Sequence, residues 1–226
     1  MYENGDERAN GNARTRSGRD EAPGTRDAGT LDADGRATRS PALDAPRAAG
    51  ASPKAREEFW VFGYGSLLWK QGFPYAEEAR ARLEGYTRSL CIHSHRHRGT
   101  PERPGLVLGL QPGGSCDGMA YRVEEAHREE TIRYLREREL VTNVYLERVL
   151  PVRLVDEGRE VRCLAFVVDA THPQYAGDMG VDEAVERVRG ARGDGGPNEE
   201  YVVNTVKRLN ETGIRDERLE AIAARL

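Results

Sequence analysis

The first 57 residues of this 226-residue chain contain no valine, isoleucine, phenylalanine, tryptophan or cysteine. Alanine aside, their only apolar side chains are Met1, Tyr2, Leu31 and Leu43. A segment so poor in large apolar groups cannot offset the entropy of ordering its backbone, so 1–57 reads as a disordered polar tail. Long apolar runs are missing throughout. Nothing approaches the ~20 residues of a membrane span, and the N-terminus lacks the apolar centre of a secretory signal. Cysteine is scarce: Cys91, Cys116 and Cys163 are odd in number, far apart and set in apolar stretches. That excludes a disulfide scaffold and predicts a reduced, cytoplasmic protein with buried thiols. There is no excess of positive charge either. Lys+Arg number 34 against 38 Asp+Glu, a net charge of −4. The tail carries ten of each sign, so the −4 belongs to 58–226. A mildly acidic domain is a poor partner for nucleic acid.

What remains is a stretch of 169 residues, long enough for one domain with a good core. The mean hydropathy of −0.72 is set largely by the tail. Phe59-Trp60-Val61-Phe62 is a short, intensely apolar run and reads as a buried strand. Further strands are expected at 86–92, 105–111, 118–123, 144–154 and 161–169, with turns at Pro112-Gly113-Gly114 and Asp156-Glu157-Gly158 between them. Helices are expected at 76–82 and 125–139, around Val181, Val185 and Val188, around Tyr201, Thr205 and Leu209, and at 216–226. About six strands with helices mostly late predicts an α+β fold with a mixed or barrel-like sheet.

Four segments carry residues of chemical interest. Gly63-Tyr64-Gly65-Ser66 follows the first strand, where two glycines let consecutive N–H groups face an anion or an oxyanion. An ordinary strand-end turn is the plainer reading. In Tyr134-Leu135-Arg136-Glu137-Arg138-Glu139, Glu139 shares a helix face with Ile132 and Leu135 and should point inward. Glu137, Arg136 and Arg138 should point out. A carboxylate against an apolar wall titrates high and suits proton transfer, although an end-of-helix Glu–Arg pair would look the same. His93, His95 and His97 alternate, as three zinc-binding imidazoles on a strand would. The intervening Arg96 and Arg98, and the lack of an acidic or thiol ligand nearby, favour a polar segment lining a cleft, with no metal. Finally, Asn198-Glu199-Glu200 has the look of a helix cap, with Tyr201 either reaching a pocket or packing.

Taken together these residues form a familiar pattern. Residues 60–69 followed by Phe73-Pro74-Tyr75 closely resemble the opening of the ChaC family of glutathione-specific γ-glutamylcyclotransferases. The resemblance continues at His97-Arg98-Gly99-Thr100-Pro101, Pro104-Gly105, Cys116-Asp117-Gly118-Met119-Ala120-Tyr121-Arg122, Tyr134 to Glu139, and Asn198-Glu199-Glu200-Tyr201, spanning about 59–222. It implies a small mixed β-barrel with surrounding helices. It implies Glu139 as the general acid/base, and substrate binding by Tyr64, Gly65, Ser66 and Leu67, with Asn198 and Tyr201 at the late helix start. The substrate it implies is glutathione or a related γ-glutamyl peptide, cleaved to 5-oxoproline without metal or cofactor. An anionic peptide on an acidic domain needs local donors, for which the amides of 64–67 and Arg98 are the candidates. Two other readings share the pattern: a non-catalytic regulatory protein of the same fold, in line with the family's association with cation transport, and a cyclotransferase for a different γ-glutamyl compound. The presence of Glu139 favours an enzyme. One departure stands out. His93-Ser94-His95-Arg96 replaces the aromatic or acidic residues usual there, at the rim expected to meet the Cys-Gly half.

Overall fold

The computed structural model describes residues 58–226. The disordered-tail reading of 1–57 lies outside the described residues. Five strands close a barrel in the order β1-β3-β2-β4-β5. They are β1 (Phe59–Gly63), β2 (Glu77–Ser94), β3 (Gly105–Val123), β4 (Tyr145–Leu154) and β5 (Glu160–Val168). Every pairing is antiparallel except β1 with β5, where Trp60 lies beside Cys163 and Val61 beside Leu164. All five residues of β1 are buried, on both faces, which is why the run is continuously apolar rather than alternating. Trp60, Phe62, Tyr121 and Phe166 fill the core, where the three cysteines are buried as free thiols. Burial pushes the Cys91 and Cys163 thiols up to about 12, so neither is a reactive thiolate at neutral pH.

Four helices surround the barrel: α1 (Arg128–Glu139), α2 (Val181–Val188), α3 (Asn198–Glu211) and α4 (Glu217–Ala223). A two-residue ribbon, β6 (Arg192–Gly193) with β7 (Gly196–Pro197), leads into α3. Among the described residues no helix is long and apolar enough to cross a membrane.

Two local expectations give way to the barrel. The stretch 76–82 is rich in helix formers, yet it is the start of β2. There Glu77 pairs with Arg122 and Ala81 with Gly118. Its Ala79, Ala81 and Leu83 point away from Arg82 and Glu84, so a period of two was available to read. Pairing with β3 outweighs the small difference in helix propensity. Likewise 105–111 and 118–123 are one strand. Pro112-Gly113-Gly114 is a bulge inside β3, opposite Gly85, with positive φ at all three glycines. The bulge bends the long β2–β3 hairpin, so one hairpin supplies what reads as several shorter strands. That is why the barrel has five strands where about six were expected.

Arg88 ties this scaffold to the turn after β1. Its side chain is 4% exposed. Nε donates to the Tyr64 carbonyl at 2.7 Å, Nη2 to the Asp117 carbonyl, and Nη1 pairs with Asp216 at 2.9 Å. Removing the guanidinium strands a partly buried carboxylate and two carbonyls. Arg88→Leu should therefore lower the unfolding free energy by about 3 kcal/mol, read from urea denaturation.

Candidate active site

The turn after β1 is the floor of the site. Residues Ser66–Leu68 make a single 3-10 turn, closed by the Leu68 amide donating to the Gly65 carbonyl at 2.9 Å. The N–H groups that open such a turn have no partner within it. A β-carbon on Gly65 would lie 3.2 Å from the Tyr201 hydroxyl, so the glycine lets the backbone and that phenol approach closely. Tyr64 contributes its backbone here. Its hydroxyl is spent on the Phe166 carbonyl at 2.8 Å, and burial holds the phenol well above the usual tyrosine range.

Above the turn stands the end of α1. Leu135 is fully buried, and Glu139 follows one turn later on the same face, its side chain 15% exposed. Burial raises its carboxyl pKa, against the opposing pull of Arg138. A negative charge at a helix C-terminus acts in the same direction as burial. Arg136 and Glu137 face outward as expected, Arg136 pairing with Glu147 of β4 at 2.6 Å. Arg138 does not. It turns back over the 66–71 segment, where Nε pairs with Glu139 Oε1 at 3.0 Å. Nη2 donates to Ser66 Oγ at 2.7 Å, and Nη1 to the Lys70 carbonyl at 2.6 Å and Tyr134 Oη at 3.1 Å. The carbonyls of a turn packed under the last helical turn need a donor, and Arg138 is the side chain long enough to reach them. So the inward carboxylate and the helix-end ion pair are not alternatives; Glu139 is both.

The third wall comes from the edge of β3. The β1 partner covers only 119–123 of that strand, leaving the other end of this edge without a strand. Side chains cover it instead. Asn198 Oδ1 accepts from the Leu106 amide at 2.6 Å and its Nδ2 donates to the Leu106 carbonyl at 2.8 Å. The Tyr201 hydroxyl accepts from the Leu108 amide at 3.0 Å, and the Tyr145 hydroxyl donates to the Leu108 carbonyl at 2.7 Å. Pro197, not Asn198, is the cap of α3. The Asn198 amide behaves as a strand partner rather than a cap, because the β3 edge is the stronger claim on it.

These pieces enclose a recess between residues 64–67, Glu139, Tyr145, Tyr201, Leu108 and Phe166. The recess opens into a broader cleft and shares Ser66, Glu139, Tyr145 and Tyr201 with it. Of the residues singled out in the sequence, Tyr64, Gly65, Ser66, Leu67, Glu139 and Tyr201 line the recess. Arg98 lies in the cleft, its guanidinium 5.4 Å from the Tyr201 ring centre and 5.9 Å from that of Trp69, with Nη1 donating to the Pro197 carbonyl at 3.0 Å. Asn198 lies in neither cavity and is completely buried. Nothing in the sequence pattern marks Tyr145, Arg138 or Arg88 as site residues. Tyr145 begins a strand whose apolar pattern was legible, but nothing local marks its hydroxyl. The two arginines are two among 31 arginines. Of the three alternating histidines, the rings of His93 and His95 stack at 6.2 Å. Strand β2 ends at Ser94, so the alternation does not carry through to His97. Among the described residues no three His, Cys, Asp or Glu side chains are grouped to hold a metal ion.

Known proteins resemble this chain in sequence and in fold. The family model described as ChaC-like protein matches residues 59–226. The glutathione-specific γ-glutamylcyclotransferase of Escherichia coli is 34% identical over 160 residues, covering 71% of this chain and 69% of that protein. The glutathione-specific γ-glutamylcyclotransferase 1 of Danio rerio is 31% identical over 178 residues, covering 76% and 90%. A crystal structure of a γ-glutamylcyclotransferase specific to glutathione from yeast superposes with a TM-score of 0.68 at 23% identity, over 75% of this chain and 95% of that one, and so shares the fold. With the family model matching residues 59–226, the chain belongs to the ChaC-like protein family.

Proposed function

We infer that 58–226 is a catalytic domain that cleaves glutathione to 5-oxoproline and Cys-Gly, with Glu139 as its general acid/base. The observation that carries this reading is the Glu139 carboxylate, buried at the junction of the recess and the cleft. The relatives named above supply the substrate. The γ-glutamyl group sits in the recess, folded so that its own amine meets its γ-carbonyl. The nucleophile is already part of the substrate, so the protein mainly has to hold the attack geometry. Glu139 takes a proton from the ammonium. The amine adds to the γ-carbonyl, and the new C–N bond closes a five-membered lactam. The old amide C–N bond breaks as Glu139 returns the proton to the departing nitrogen. The ring nitrogen then gives its second proton to Glu139, a carboxylate again, which passes it to the departed amine, so that the products are the neutral lactam and the Cys-Gly ammonium and no water is consumed.

The surrounding groups have matching tasks. The opening amides of the turn at 64–67 are donors for the glutamyl carboxylate or the oxyanion. The Tyr201 hydroxyl already accepts from Leu108, so its own proton is left to donate. Arg138 pulls the Glu139 pKa down against the larger pull of burial and links it to Ser66. Arg98 faces the cleft from behind Tyr201, and Asn198 acts at one remove, by fixing α3 to β3.

Mass-spectrometric detection of 5-oxoproline from glutathione, alongside other γ-glutamyl compounds, tests the reaction. Glu139→Gln should lower turnover by about 10³-fold while the thermal midpoint stays within a few degrees; product formation at the wild-type rate would refute the assignment. The acidic limb of the kcat/KM profile should lie above the ordinary glutamate range, because the base must lose its proton to act and burial raises its pKa. Arg138→Gln removes the charge that opposes burial, so the limb should move to higher pH. A limb that stays put would count against Glu139 as the titrating base.

A further inference from the structure

The recess accounts for the γ-glutamyl half of the substrate and leaves the His93–Arg98 segment without a task. That segment forms one side of the broader cleft. Because Glu139 sits where the two cavities meet, the nitrogen it protonates must leave into the cleft, and the remainder of the leaving group lies there from the start. The walls are strongly one-signed. Lys70, Arg96, Arg98 and Arg138 line the cleft together with three histidines, and Glu139 is the only carboxylate in the lining. This stands against a net charge of −4 for the whole chain.

Not all of this charge is free. Arg138 is matched by Glu139. Arg98 has the Pro197 carbonyl at 3.0 Å and Glu200 in its vicinity. The rim is less committed. Among the described residues Arg96 pairs only with Asp194, at 3.2 Å, both side chains about 70% exposed, a pair of little energetic worth. His93 Nδ1 is buried and has no hydrogen-bond partner among the described residues. His93 and His97 are both held below the usual imidazole pKa, chiefly by partial desolvation and then by Arg187 and Arg96 respectively, against the weaker opposing pull of Glu183 and Asp194, which favours the uncharged imidazole. Uncharged imidazoles interleaved with guanidiniums suit an anion that arrives with the ligand. Glu183, Asp194 and Glu200 act on these side chains from outside the lining, where Glu139 is the one carboxylate.

We propose that His93, Arg96 and His97 form a subsite for the free carboxylate at the far end of the leaving group. The enzyme then selects γ-glutamyl peptides that end in a carboxylate over γ-glutamyl amines and amides. The proposal rests on the cyclotransferase reading and adds to it the residues that set specificity on the leaving side.

The test compares glutathione with glutathione whose glycine carboxylate is converted to a carboxamide. Both carry the same γ-glutamyl group and differ by one charge. Steady-state kinetics by 5-oxoproline detection are run on wild type, on the Arg96→Gln/His97→Gln double variant, and on His93→Gln. Arg96 and His97 are exposed, so the double variant carries little risk to folding. Wild type should prefer the carboxylate by about 10-fold or more in kcat/KM, as expected for charge-assisted hydrogen bonds. In the double variant the preference should shrink to about 3-fold or less, through a higher KM for glutathione with kcat kept. His93→Gln should shrink it too. A wild type that turns over both compounds equally, or variants that keep the full preference, overturns the subsite and leaves the reaction standing. A wild type that turns over neither compound overturns both.

Discussion

The free edge of β3 at Leu106 and Leu108 is the constraint on which the site depends. A barrel closes by pairing every strand on both edges, but β1 is five residues long and β3 is nineteen. The uncovered peptide groups lie inside the protein, where water cannot satisfy them, and a buried unpaired amide is costly. Asn198, Tyr201 and Tyr145 meet that demand with side-chain groups. In doing so they dock α3 against the barrel at a fixed height. Asn198 and Tyr201 are three residues apart on one helix face, matching Leu106 and Leu108, which point to one edge of the strand. The same hydrogen bond that satisfies Leu108 sets the Tyr201 hydroxyl against Gly65, where a β-carbon would lie 3.2 Å from it.

The electrostatics of the site have a comparable economy. Burial at Glu139 raises its pKa and favours the protonated form. One adjacent guanidinium offsets part of that penalty, and the same group tethers the glycine turn through Ser66 and the Lys70 carbonyl. Position in the helix, ionisation and attachment of the turn are thereby coupled through a single side chain. Arg88 performs the parallel task from below, holding the Tyr64 carbonyl and anchoring on Asp216 at the start of α4. The turn is thus clamped between two arginines from different elements, leaving its opening amides available.

Much of this was open to reading along the chain. The buried first strand, the helix face that turns Glu139 inward, the late helices and the buried thiols are local or periodic signals, and each is where its pattern implied. The misreadings share a cause. The stretch 76–82 looks helical because propensity is a local property, whereas its partner in β3 is some forty residues away. Pro112-Gly113-Gly114 looks like a chain reversal because a bulge and a turn use the same residues, and only the opposing strand tells them apart.

By itself the sequence determined the chemistry on offer: a glycine-flanked turn after a buried strand, one inward glutamate, one tyrosine a turn into a late helix, and a histidine–arginine segment. These follow from residue type and short-range periodicity, which need no knowledge of what lies across the fold. Only the tertiary structure decided which of these groups meet and which are spent. It turned Arg138 inward to share Glu139, committed the Tyr64 hydroxyl to Phe166, and made Asn198 a strand partner instead of a cap. Each of those outcomes is set by a backbone group or charge distant in sequence that burial obliges a side chain to satisfy, and that obligation exists only once the barrel has closed.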